Sequence, residues 1–155
     1  MSLSEMSPQK RAFVFLGAVL SFSIVIYVAI GLLVTVGSGK SARPGTEAFG
    51  TFLLCTGFVF LVVALLLAPR ERPNAGDRPP MTPSDVRGRG WIALMVSEAA
   101  AVVGFAGTFI TMRPVLVLLL GAGAIAANLF WILPQGARLI EAGETAAAVR
   151  PFGPG

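Results

Sequence analysis

Residues 91–112, WIALMVSEAAAVVGFAGTFITM, decide what kind of fold this chain adopts. An apolar run of that length crosses a hydrocarbon core of about 30 Å as a helix rising about 1.5 Å per residue. Three further runs pass the same test: Ala12–Val36, Ala48–Ala68 and Val115–Leu133. The 155 residues are 55% hydrophobic and 13% charged, with a mean hydropathy of +0.79, more apolar than a soluble domain of this size can bury. The fold class is therefore all-α, a polytopic membrane protein with four transmembrane helices and the lipid bilayer as its solvent. The helices are expected as two antiparallel hairpins, 12–68 and 91–133, with an N-terminus over 1–11, a loop over 69–90 and a tail over 134–155. Lys10 and Arg11 before the first run suggest a signal peptide, but that run is about twice the 7–15 residues of a signal core and reads as a retained helix.

Composition removes several classes of function. A single cysteine, Cys55, excludes an intrachain disulfide and reads as a small buried residue, and the absence of histidine removes the usual ligands for haem, copper and zinc. No metal and no cofactor is expected. The net charge of +4 and pI near 10.2 would suggest nucleic acid in a soluble chain; here the basic residues flank apolar runs and report orientation instead. With four spans, the termini and the middle loop share a side and hold nine of the twelve Lys and Arg residues: Lys10, Arg11, Arg70, Arg72, Arg78, Arg87, Arg89, Arg138 and Arg150. Lys40, Arg43 and Arg113 are left for the other side. The imbalance places both termini in the cytoplasm and the protein in the cytoplasmic (inner) membrane.

The middle loop, PRERPNAGDRPPMTPSDVRGRG, holds five prolines and no apolar periodicity, so it is expected to be irregular and solvated, its basic residues offset by Glu71, Asp77 and Asp85. Gly37–Ser41, GSGKS, resembles the end of a phosphate-binding loop. It has Val34 where the first glycine of that pattern belongs, and it follows an apolar helix where the pattern needs a strand, so a flexible turn and no nucleotide are expected. Trp91 and Trp131 fall near helix ends, as interfacial anchors do. The stretch EAGETAAAV in the tail reads as a short helix before a Pro/Gly-rich end.

Placing Arg11 over Arg87 sets Ser21-Phe22-Ser23 over Ser97-Glu98-Ala99 and Ile26-Tyr27 over Val102-Val103, the pattern of a parallel internal repeat of one helical hairpin. Glu98 breaks the apolar character of its run. An ionisable side chain there is costly and marks a functional position by default. It lies seven residues inside Trp91, about 10 Å along the helix, and Asn128 lies six residues before Pro134, about 9 Å from the same boundary. The matching depth predicts a hydrogen bond between Glu98 and Asn128 across the second hairpin, with Ser97 beside it. Two readings of Glu98 stand open at this point: a carboxyl that takes up and releases a proton or a sodium ion, and a purely structural contact. Ala100, Gly104 and Thr108 recur every four residues on the third helix, and the fourth carries Gly121, Gly123 and Ala127, so close packing of that pair is expected. A lone carboxylate without histidine or a serine–base pair does not make a hydrolytic site, and no enzymatic chemistry is expected.

The stretch SEAAAVVGFAG, 97–107, is similar to the ion-carrying helix of the rotary ATPase proteolipids, a glutamate followed by small and aliphatic residues and then a glycine. SFSIVIYVAIG, 21–31, looks like the same element with Phe22 in the glutamate's place. The resemblance implies a membrane-embedded ring of copies with Glu98 as the ion site; on chemical grounds alone, Ser97 and Asn128 are candidate supporting groups. In that family the carboxylate belongs to the second helix of a hairpin, whereas Glu98 is on the first of its pair. Three functions follow as expectations: a structural or accessory subunit of a membrane complex, a proteolipid-like ion-translocating subunit, or a small proton-coupled transporter. The expected partners are other membrane subunits or further copies of this chain.

Overall fold

In hydrocarbon, backbone N–H and C=O groups have only each other as partners, so each apolar run closes into a helix. The computed structural model describes residues 6–39, 41–70 and 81–149. Residues 1–5, Lys40, residues 71–80 of the expected middle loop and 150–155 of the tail lie outside the described residues. The elements are α1 (Pro8–Gly37), α2 (Glu47–Leu67), α3 (Pro83–Thr111), α4 (Val115–Ala126), a π-helical turn (Ala127–Ile132) and α5 (Leu133–Val149). With α4 running on through the π turn into α5, four rods among the described residues are long and apolar enough to cross a membrane. Their outer faces expose large apolar side chains such as Phe15, Phe22, Leu33, Phe52, Leu66 and Phe130, a surface suited to lipid and unsuited to water.

Two helix boundaries depart from the sequence expectation. α3 begins at Pro83 rather than Trp91, because Thr82 and Asp85 form a reciprocal capping box and proline fits the first helical position. The stretch 83–90 is therefore helix and not loop. The last rod does not stop at Leu133. In a regular α-helix Pro134 would lack its N–H and its ring would collide with the carbonyl four residues back. The π turn inserts one residue just before it, so that Leu133 N–H reaches Asn128 O and the chain continues as helix to Val149.

Packing corrects the arrangement of the first pair. α3 and α4 form a true hairpin through a tight turn at Met112, whose φ of 55° is left-handed, and Thr108 Oγ1 accepts from Val117 N–H at 3.2 Å to close it. α1 and α2 do not form a hairpin: they barely touch, and each packs on the α3–α4 pair from opposite sides. The link between them runs across the end of α3, where Arg43 N–H donates to Thr111 O at 3.0 Å. The two halves of the chain are thus packed differently, and a repeat of one hairpin unit does not describe the tertiary arrangement. The cause lies in the small residues. Gly31 of α1 meets Val117, Gly57 of α2 meets Leu120, and on α4 itself Gly121 admits Val28 of α1 while Gly123 admits Leu61 of α2. Gly121 and Gly123 therefore seat the flanking helices, and the closest α3–α4 approach is made by Gly104 from the α3 side.

At Gly104 the space for a Cβ is already taken by Leu116 O at 2.8 Å, with Leu120 Cβ at 3.0 Å and Val117 Cα at 3.2 Å, so an added methyl meets backbone that cannot rotate away. Gly37 has nothing within 4 Å of that position. Gly104→Ala should therefore cost about 1–3 kcal/mol, and Gly37→Ala should stay within about 0.5 kcal/mol of wild type. Thermal unfolding in one detergent, followed by circular dichroism, checks both; an unchanged Tm for Gly104→Ala would contradict the close backbone approach.

Candidate functional site

The rotation of α3 about its axis sends Ser97 and Glu98 in different directions, since consecutive helical residues point about 100° apart. Ser97 is fully buried and turns toward the π turn, where its Oγ donates to Asn128 Oδ1 at 2.5 Å; Leu94 O lies 2.8 Å from the same hydroxyl. The Asn128 amide nitrogen faces Ser21 Oγ of α1 at 3.5 Å, a long contact. Asn128 and Ser97 are fully enclosed and Ser21 nearly so. This polar layer separates two apolar clusters. On one side lie Phe13, Leu20, Leu94, Ala127 and Ile132, and on the other Ile24, Ala100, Leu120 and Ala124.

Glu98 does not bond Asn128, which corrects the expected pair. Equal depth along two neighbouring helices leaves the angular position open, and the angle turns Glu98 to the seam between α1 and α3. There its Oε1 accepts from Ser23 Oγ at 2.6 Å, with Tyr27 OH at 3.5 Å. Ser23 and Tyr27 are one helical turn apart on α1 and so face α3 together. The Tyr27 ring lies 5.4 Å from Phe105, which meets Phe109 edge-on at 4.8 Å, so the tyrosine is held by an aromatic row along α3. Neither residue was singled out as a partner of Glu98 from the sequence. The signal was present in the i, i+4 spacing of the hydroxyls on α1 but had no meaning until α1 and α3 were known to be neighbours.

The seam differs from the buried layer in being half-open. Glu98, Ser23 and Tyr27 are all partly exposed on the outer wall of the bundle, and among the described residues Glu98 Oε2 has no hydrogen-bond partner and the carboxyl no ion-pair partner. Ser23 Oγ also sits 2.7 Å from Leu20 O. Its single proton can thus point to an ionised Glu98, or to Leu20 O while a protonated Glu98 donates to it. The seam accommodates both protonation states without moving a heavy atom. No group of three or more potential metal-ligating side chains occurs among the described residues.

The remaining charged contacts staple the two ends of the bundle. Lys10 Nζ bonds Glu141 Oε2 at 2.6 Å, tying α1 to α5, and Arg113 Nη2 bonds Glu47 Oε1 at 2.6 Å, tying the α3–α4 turn to the start of α2. Of the packing residues expected from sequence, Ala100, Gly104, Thr108, Gly121 and Ala127 are buried and Gly123 is half-buried. Cys55, expected inside, is exposed on α2. No protein-family model, curated protein or solved structure matches the chain.

A double-mutant cycle separates the two polar groups. Ser97→Ala with Asn128→Leu should show coupling of about 0.6 kcal/mol, and up to about 1.7 kcal/mol, as membrane hydrogen bonds do. Glu98→Gln with Asn128→Leu should be additive within about 0.5 kcal/mol, since the two side chains share no partner. Unfolding equilibria in detergent provide the measurement, and strong coupling in the second cycle would restore the Glu98–Asn128 pair.

Proposed function

We propose that this protein is a small multi-pass subunit of a membrane complex, that it acts by assembly without enzymatic chemistry of its own, and that the α1–α3 seam around Glu98 is its working face. One observation carries the reading. Ser21, Ser97 and Asn128 are enclosed within the bundle, whereas the Glu98 carboxyl is left half-open beside Ser23 and Tyr27 on an outer wall made for hydrocarbon, with one oxygen unpartnered among the described residues. Such a group is stabilised by a further hydrogen-bond donor, and a neighbouring transmembrane helix, from another subunit or another copy, supplies one. The distribution of arginines supports a cytoplasmic membrane with both termini inside.

A second reading rests on the same seam. The ability of Ser23 to hydrogen-bond either form of Glu98 is what a site that exchanges a proton would need, and it supports the ion-translocating alternative.

A hydrophobic carbodiimide, which attacks protonated carboxyls from the lipid phase, distinguishes the two when Glu98 modification is read by mass spectrometry in native membranes and in the purified protein. Assembly predicts protection in membranes and at least about tenfold more labelling once detergent separates the chain from its neighbours, the ratio expected for about 1.4 kcal/mol of contact. Ion exchange predicts labelling in membranes that falls as pH or sodium rises. Equal labelling in both settings, indifferent to pH and sodium, would overturn both.

A further inference from the structure

The cleft formed by Arg70, Gln135, Arg138 and Leu139 lies at the end of the bundle opposite the α3–α4 turn, away from the Glu98 seam. Two elements build it. α2 ends at Leu67, and the next two residues, Ala68 and Pro69, are buried, so the chain is pressed against the bundle and Arg70 has little room to drift. Arg70 Nη2 donates to Leu65 O at 2.9 Å, which holds the guanidinium over the open carbonyl end of α2 and leaves its other N–H groups free to face the cleft. Gln135 and Arg138 stand one turn apart on α5 and present an amide and a second guanidinium from the other wall.

Among the described residues the charge of the cleft is uncompensated: no carboxylate lines it, and neither Arg70 nor Arg138 belongs to an ion pair. The acid next along α5, Glu141, is taken by Lys10 at 2.6 Å. Two planar guanidinium forks with free donors, converging with an amide on one recess, match the oxygens of a phosphate. The level of the cleft says which phosphate. It lies just past the apolar end of α2 and one turn beyond the half-exposed Trp131, where bilayer headgroups sit, and Leu139 gives it an apolar wall. We infer that the Arg70–Gln135–Arg138 cleft binds the phosphate of an anionic phospholipid, whose acyl chains then lie along the exposed side chains of α2 such as Leu66. A zwitterionic lipid presents the same phosphate with an ammonium beside it, which the two arginines repel.

Native mass spectrometry of the full-length protein, released from micelles containing equal amounts of phosphatidylglycerol and phosphatidylcholine, tests this directly. Wild type should retain phosphatidylglycerol in preference. Arg70→Gln and Arg138→Gln should each weaken that retention about fivefold and the double variant about 25-fold, as expected for about 1 kcal/mol per arginine near an anionic headgroup. Arg43→Gln, at the opposite end of the bundle, should leave it unchanged. Equal retention of the two lipids by wild type, or undiminished phosphatidylglycerol on a double variant with wild-type circular dichroism, would overturn the proposal. Displacement of the lipid by millimolar inorganic phosphate alone would also overturn it and assign the cleft to a soluble phosphate compound.

Discussion

Hydrocarbon offers a polar side chain no water to fall back on, so an amide placed inside a membrane bundle must find its partners on neighbouring helices. Asn128 is where that constraint acts. Its carbonyl oxygen accepts a hydrogen bond from Ser97 on α3 and its nitrogen faces Ser21 on α1 at the longer distance of 3.5 Å, so one side chain relates the rotation of two helices to a third. The requirement is directional, unlike the apolar contacts around it. Leu and Ile pack almost as well after a modest rotation, but a Ser97 hydroxyl turned away to Leu94 O on its own helix leaves the Asn128 oxygen unsatisfied in the core. The π turn contributes by altering the helical register around Asn128 just where the chain must also accommodate Pro134.

From that rotation the position of Glu98 follows. With Ser97 directed inward, the next residue is carried about 100° round the helix to the α1–α3 seam. There Ser23 and Tyr27 meet it because α1 has been aligned through Ser21, two residues before Ser23. The buried layer and the half-open carboxyl are two consequences of one geometry. The inner group specifies how the helices fit together, and the outer group is left available to something beyond the chain.

Much of this was legible in the residues. The four spans, the polar level at Ser97, Glu98 and Asn128, and the close approach at Gly104 are all local patterns, whereas the capped start of α3 at Thr82–Asp85 was hidden in a proline-rich stretch that reads as loop. Other features were not legible for definite reasons. Pro134 reads as a helix stop, and only the π turn before it shows that the helix continues. The pairing of α1 with α2 looked as natural as that of α3 with α4, yet the link over residues 38–46 is long enough to carry the chain across the end of α3. A three-residue turn at 112–114 forces its helices together, while a longer link permits either neighbour.

Composition and hydropathy by themselves determined that this chain is a four-span membrane protein, because burying about 20 apolar residues per helix in lipid depends on length and residue type and on no tertiary contact. They also determined that the only carboxylate or basic side chain deep within the four apolar runs is Glu98. Tertiary structure alone decided which helices are neighbours, that Asn128 belongs to Ser97 and Ser21, and that Glu98 belongs to Ser23 and Tyr27. All four helices are apolar over most of their circumference, so no hydrophobic stripe marks the side that faces protein. What distinguishes the faces is where small residues let backbones meet and where hydrogen-bonding groups find each other, and those are properties of pairs of helices.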